Sequence, residues 1–361
     1  MLKTIGNAPA SWLLLGATLA CSLPVAAQED EAPPGALPAV GAAQTGASVV
    51  GVSSGGYMAM QLAVAWPERF AGVGVLAAGP WSCAQGSLSL ALNQCMMTRR
   101  GLPSLETLNI RWANYREQDQ VGSESARSQL RAYVWHGEND SVVAPALGDL
   151  LAEQLQQWLA EEEQLKVARS PNAGHGWPVK LDNVETPSQP LGDCQSGGGS
   201  HLLACDENIA ADMLNWLHPD AASSALSSSA SGELVAFDQS DFDAKGLADS
   251  GYVYLPQDCQ DGSCEVTIAL HGCQMNAEQV GETFVRSTGL NEWADQQGRI
   301  IVYPQAESTL ANPQGCWDWW GFAESSWQLN PLHDTRQGSQ VSALMAMLTR
   351  LQSAATETEI D

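Results

Sequence analysis

Gly51-Val52-Ser53-Ser54-Gly55 is a G-x-S-x-G sequence set between a β-rich run and a helix pattern. In that context the serine occupies a tight, strained turn from strand to helix, the small flanking residues let the backbone turn, and the hydroxyl oxygen projects outward. The chemistry this permits is nucleophilic acyl transfer. Ser53 is the candidate nucleophile. Ser54 competes for the role but lacks a glycine two residues before it, and Gly/Ser-rich turns also produce the pattern by chance.

A serine hydroxyl needs a general base, and the base needs an orienting carboxylate. With a nucleophile on such a turn, the expected chain order is Ser, then Asp or Glu, then His. Asp140 lies just after a strand in WHGENDSVV (135–143). Loops at that edge of an open α/β sheet are where functional residues collect. Glu138 and Asp193 compete with it. His175 follows in NAGHGWP (172–178), a Gly-flanked turn after the next strand. Of the other histidines, His136 lies four residues before Asp140 and is read as shaping that loop. His201 sits in a Gly/Ser-rich stretch, His218 ends a helix beside Pro219, His333 precedes the last helix, and His271 belongs to another motif.

The oxyanion of an acyl transfer needs two N–H donors, one from the residue after the nucleophile and one from a loop that ordinarily lies upstream. Here the segment before the elbow strand is too short to hold the strands that ordinarily come first. Those strands appear later. VTIALHGCQ (266–274) reads as a strand ending in His271-Gly272-Cys273, followed by a helix, the strand RIIVYP (299–304) and a final helix. The next element in the ordinary order is the nucleophile strand, which here stands near the N-terminus. The chain therefore reads as circularly permuted, with the N–H groups of Ser54 and Cys273 as the oxyanion donors and the last helix lying beside the first strand. A plain strand-end turn is the alternative for His271-Gly272-Cys273.

The elements that must position these residues alternate helix and strand, which points to an α/β fold with a mostly parallel central sheet flanked by helices. β-rich runs lie at 49–53, 71–78, 131–137, 164–169, 233–237, 251–255, 265–270 and 299–304. Helix patterns follow the elbow and cover 145–162, 209–217, 278–297 and roughly 334–352. Residues 28–46 read as a mobile arm, 47–352 as one catalytic domain, and 353–361 as a tail. The Ser/Ala-rich stretch 220–232 has linker composition and joins the former termini of the permuted domain.

Residues 1–27 read as a signal peptide, with Lys3, an apolar core at 12–20 too short to span a bilayer, and a cleavage site near Ala27. A buried first helix and a lipid anchor at Cys21 are the alternatives. The expectation is a secreted or periplasmic protein with no membrane span. Of nine cysteines, removal of Cys21 leaves eight, and an oxidising compartment favours disulfides. Cys83/Cys95, Cys194/Cys205 and Cys259/Cys264 are plausible local bridges, leaving Cys273 with Cys316, though eight cysteines permit 105 connectivities. A zinc site would need paired C-x-x-C spacings, and none occurs. No metal or organic cofactor is expected. The formal net charge of −25 becomes −26 once the leader, with one Lys and no acid, is removed. That excludes nucleic acid as a partner, favours a neutral or hydrophobic substrate, and suits a salty habitat. A monomer is expected.

GVSSGGYMAMQLAVAWPERFAGVGVLAAGPWSCA (51–84), GENDSVV (137–143), GHGWP (174–178), LHGCQ (270–274) and GCWDWWG (315–321) occur in this order. Together they resemble type 2 extracellular polyhydroxybutyrate depolymerases, in which the lipase box comes first in the catalytic domain. The resemblance covers residues 46 to 350 or so. It implies a circularly permuted α/β-hydrolase that cleaves ester bonds of poly(3-hydroxybutyrate). Ser53 would be its nucleophile, Asp140 its acid, His175 its base, and Ser54 and Cys273 its oxyanion donors. It also makes Trp317, Trp319, Trp320 and Trp177 candidates for lining a crevice around an apolar polyester, with core packing as the rival reading of each. Many members carry a separate substrate-binding module. None is read here, so oligomers or amorphous granules are the expected substrates. An esterase of feruloyl or acetyl esters on plant polysaccharide is the nearest alternative, and a noncatalytic polymer-binding protein a more distant one.

Overall fold

In the computed structural model, which describes residues 34–221, 230–259, 262–324 and 330–354, the β-rich runs pair into one large sheet. In chain order the strands are β1 (Gly35–Ala36), β2 (Ala47–Val52), β3 (Phe70–Leu76), β4 (Arg131–Gly137), β5 (Leu165–Ser170), β6 (Trp177–Val179), β7 (Gly192–Asp193), β8 (Leu202–Ala204), β9 (Glu233–Asp238), β10 (Ser250–Leu255), β11 (Glu265–Leu270) and β12 (Arg299–Tyr303). Nine of them form a sheet in the order β1-β9-β10-β12-β11-β2-β3-β4-β5. Its pairings are parallel except that β10 runs antiparallel to β9 and β12. β6, β8 and β7 make a small parallel sheet of their own.

Helices cover both faces of the large sheet, which is why the central strands read as nearly continuous apolar runs. All six residues of β2 are buried. Successive side chains still point to opposite faces. Val49, Val73, Val134, Ile268 and Val302 join one core, with the helices Ser54–Ala65, Pro145–Trp158 and Ser339–Gln352. Val50, Val52, Tyr133, Trp135, Ile301 and Tyr303 join the other, with the helices Ile209–Leu217 and Leu290–Gln297.

The permutation expected from the motif order is the observed topology. Strands from the second half of the chain pair directly with the elbow strand, Ile268 of β11 lying opposite Val49 of β2. The last helix ends beside the approach to β2: Val40 and Ala42 donate their N–H groups to the Leu351 carbonyl, and Gly41 donates to that of Ser353. The leader 1–27, residues 222–229 of the linker and the tail from 355 lie outside the described residues.

Three details differ from the sequence reading. Residues 34–46 are not a loose arm. β1 pairs with β9, and Leu37, Ala39 and Ala42 are buried. Small apolar residues interleaved with Pro and Gly look like a linker until a sheet edge and a helix end take them up. The helix expected over 278–297 is three pieces, Ala277–Val280, Thr283–Ser287 and Leu290–Gln297, parted at Gly281 and Gly289, whose φ values are 58° and 83°. The last helix begins at Ser339, because His333–Gly338 forms turns around buried Asp334. The cysteines pair as Cys83–Cys95, Cys194–Cys205, Cys259–Cys264 and Cys273–Cys316.

Candidate active site

The strand β2 delivers Ser53 to a turn from which the helix Ser54–Ala65 starts at once. Ser53 has φ 56° and ψ −122°, a backbone conformation that a side-chain-bearing residue adopts only under constraint. The constraint is visible in the flanking glycines. A Cβ on Gly51 would lie 2.3 Å from the Gly55 carbonyl oxygen, and one on Gly55 would lie 2.3 Å from that of Leu270. Only hydrogen fits at either place, so the G-x-S-x-G pattern here is a record of backbone crowding.

The structure brings Ser53, His175 and Asp140 together. Ser53 Oγ lies 2.9 Å from His175 Nε2. His175 Nδ1 lies 2.7 Å from Asp140 Oδ2. The other carboxylate oxygen, Oδ1, accepts the N–H groups of Val142 and Val143 at 2.8 Å each. All three side chains are mostly buried. Burial alone would raise the proton affinity of Asp140, but hydrogen bonds from His136 and His175 outweigh it and hold the carboxyl well below the usual carboxylate range. Asp140 therefore stays ionised across the neutral range and orients His175 Nδ1 as a donor, leaving Nε2 free to accept from Ser53. The competitors stand apart. Glu138 and Asp193 are exposed, and Asp193 Oδ1 caps the Gln195 and Ser196 N–H groups instead.

The turn after β11 passes directly over Ser53. A Cβ on Gly272 would come within 3.2 Å of Ser53 Cβ. His271 braces this turn. Its buried ring donates from Nδ1 to the Gly272 carbonyl at 2.7 Å, and its Nε2 accepts the Ala306 N–H at 3.1 Å. Burial pushes the imidazole down to about 4, so it is a neutral strut. The Cys273–Cys316 bridge ties the same turn to the tryptophan segment. Ser54, as the first residue of its helix, carries one of the N–H groups that a helix cannot satisfy internally.

The tryptophans are largely not where the sequence reading put them. Trp177 and Trp317 have no exposed surface and Trp319 only 6%. Trp177 Nε1 donates to the Thr288 carbonyl, and its ring meets Phe284 edge to face. Trp317 Nε1 donates to the His271 carbonyl at 3.0 Å, so it holds the turn over Ser53 from behind. Trp319 stacks on Tyr57 with ring centroids 4.3 Å apart. A crevice wall needs exposed ring surface, and these three rings spend theirs on packing. Trp320 alone of the four is partly exposed, packed against Trp319 and Phe322.

Other residues at the site escaped the sequence reading. Tyr57, one turn into the elbow helix, donates to the Cys95 carbonyl at 2.6 Å and so anchors the Cys83–Cys95 segment. His201 lies 3.2 Å from the Gln274 side chain, bridging the small sheet to the residue after Cys273. A composition rich in Gly and Ser around His201 concealed that bridge. Among the described residues no group of three or more His, Cys, Asp or Glu side chains is gathered as a metal site requires, and no helix is long and apolar enough to cross a membrane.

A family model described as a putative esterase matches residues 30–178. The chain is 31% identical over 325 residues to the poly(3-hydroxybutyrate) depolymerase of Delftia acidovorans, covering 88% of this chain but 62% of that relative. It is 31% identical over 333 residues to the polyhydroxybutyrate depolymerase of Talaromyces funiculosus, covering 88% of this chain and 93% of the relative. The crystal structure of a PHB depolymerase from Penicillium funiculosum superposes with a TM-score of 0.78 at 30% identity, over 88% of this chain and 98% of that one. A serine-to-alanine PHB depolymerase complexed with an R3HB trimer superposes with a TM-score of 0.76 at 29% identity, over the same shares. By this identity and near end-to-end coverage, the chain belongs to the polyhydroxybutyrate depolymerase family of α/β-fold ester hydrolases.

Proposed function

We propose that this protein is a secreted serine esterase that hydrolyses poly(3-hydroxybutyrate) or its oligomers through an acyl-enzyme. The observation that carries the reading is the relay of hydrogen bonds from Ser53 through His175 to Asp140 at 2.9 and 2.7 Å, on a backbone turn shaped for it. His175 Nε2 takes the Ser53 proton as Oγ attacks the ester carbonyl. The tetrahedral oxyanion is held by the Ser54 and Cys273 N–H groups. His175 then gives the proton to the departing alkoxide oxygen, which leaves as the alcohol end of the cut chain. Water, deprotonated by His175, attacks the 3-hydroxyacyl-Ser53 ester, and collapse of the second tetrahedral species frees the acid and restores Ser53.

The ligand is a neutral chain, in keeping with a strongly acidic protein, and the enzyme acts as a monomer. Its four bridges suit the oxidising compartment that a leader cleaved near Ala27 would reach. The test is acid release from amorphous poly(3-hydroxybutyrate) granules by the purified mature protein, with p-nitrophenyl butyrate and methyl ferulate alongside. Granule clearing with hydroxybutyrate products is the expected result. Turnover of methyl ferulate without granule clearing would move the substrate to plant polymer esters. Ser53→Ala should lose about 10⁴-fold or more in kcat at unchanged Tm.

A further inference from the structure

The proton on His136 is placed by its neighbours. Nε2 lies 2.9 Å from the Val143 carbonyl, which can only accept, so Nε2 carries the hydrogen. The same nitrogen lies 3.2 Å from Asp140 Oδ2, the oxygen that His175 Nδ1 approaches at 2.7 Å. The ring is fully buried. Its other nitrogen, Nδ1, has no hydrogen-bond partner and faces the helix Pro145–Trp158 at Gly148, where a Cβ would come within 2.5 Å of it. The glycine reflects only the room the ring takes up, whereas a ring that only filled space would not share its N–H with the carboxylate that orients the base.

We infer that His136 is a positioning residue for the reaction, acting through Asp140: its shared Nε2–H helps hold the carboxylate's rotation and draws charge from the oxygen that faces His175. The inference rests on the triad reading above. Asp140 Oδ1 is held by two backbone N–H groups of its own loop, and Oδ2 faces the two histidines, so rotation about the Cβ–Cγ bond is constrained from both oxygens. His136 and His175 reach Oδ2 from different elements, the end of β4 and the turn after β5. The titratable groups facing Asp140 are His136 from β4, His175 from that turn and Tyr57 from the elbow helix. The Tyr57 phenol is held well above its ordinary value, first by burial, and stays neutral. His136 thus moderates the charge that His175 feels.

The measurement is kcat and KM for p-nitrophenyl butyrate from pH 4.5 to 9 on wild type, His136→Leu and His136→Gln, with Tm for each. His136→Leu removes the donor. Its kcat should fall about 10- to 100-fold, the worth of one hydrogen bond to a charged group, with KM within about twofold. The acid limb of kcat/KM should move up by about half a pH unit or more, because an unshared carboxylate holds the base's proton more tightly. His136→Gln offers a carboxamide N–H to the same oxygen and should recover most of kcat and return the limb toward wild type. If His136→Leu does not fold, His136→Gln still decides, because a loss beyond about 100-fold with an unmoved limb overturns the inference. So does a folded His136→Leu with wild-type kcat and limb, or one whose loss the Gln variant shares in full. Ser53→Ala separates the two readings. Residual turnover there removes the triad itself, whereas an inactive Ser53→Ala beside an unaffected His136→Leu removes only the role of His136.

Discussion

Ser53 at φ 56° and Trp177 with no exposed surface show how unevenly single residues announce themselves in a sequence. Ser53, Asp140 and His175 were legible because each stands in a short local pattern, and because their order along the chain follows from the fold. Trp177, Trp317 and Trp319 were misread because an aromatic side chain declares its size, not its direction. Its N–H finds a carbonyl inside the protein as readily as its face finds a ligand. The two kinds of tryptophan should separate under substitution. Trp177→Ala empties a packed volume beside Phe284 and should cost about 3–5 kcal/mol, read as a fall in Tm or in the denaturation midpoint. Trp320→Ala, at a partly exposed ring, should leave Tm within a few degrees and raise KM for oligoesters. A Trp320→Ala enzyme with unchanged KM on trimer and longer substrates would take the last tryptophan out of the crevice. His136 was noticed for its closeness to Asp140, but the carboxylate oxygen it reaches and the glycine it faces belong to three dimensions.

At the scale of elements, the strands were legible because both faces of the sheet are covered and apolar runs stand out between Gly- and Pro-rich turns. The helix 278–297 was not, because one glycine inside a helical pattern is tolerated often enough that only φ reveals a break. Segment 34–46 was missed for a similar reason, its composition saying nothing of the β9 edge that receives β1. The Cys273–Cys316 bridge was only one of many pairings open to eight cysteines, and its energetics can be tested. It closes a sequence separation of 43 and, on chain entropy, stabilises the fold by about 4 kcal/mol. It also pins the turn over Ser53 to the segment carrying Trp317. Replacing both cysteines with serine should therefore lower Tm and also lower kcat on a small soluble ester assayed well below that Tm. A variant that loses Tm but keeps kcat would show that His271 and Trp317 hold the turn unaided.

Acid should unfold the whole molecule through histidines more than through surface charge. Burial, aided in the second case by Arg299, pushes His271 down to about 4 and His218 down to about 3, whereas in the unfolded chain each takes its proton near pH 6.5. Between those values unfolding binds protons, so stability is complete above about pH 6.5 and falls as pH drops through 4 toward 3. Asp140, with its carboxyl held low, adds a further loss at the acid end of that window. His271 alone contributes on the order of 3 kcal/mol over this range. Tm should fall steadily from pH 7 to 4.5, and less steeply in His271→Gln. A flat profile in wild type would show that these rings gain protons without unfolding.

The rearranged strand order also sets a timetable. Ser48 of β2 touches Thr267 of β11 across 219 residues of chain, so one interior strand of the sheet is among the first made and its neighbour, the middle strand, among the last. Until β11 arrives, β2 has β3 on one side and a bare edge on the other, open to any passing strand. On the proposed reading of a secreted serine esterase, a chain threaded out of the cell beginning to end would carry Ser53 ahead of the turn that must close over it, and the site would be finished only when nearly the last strand is in place.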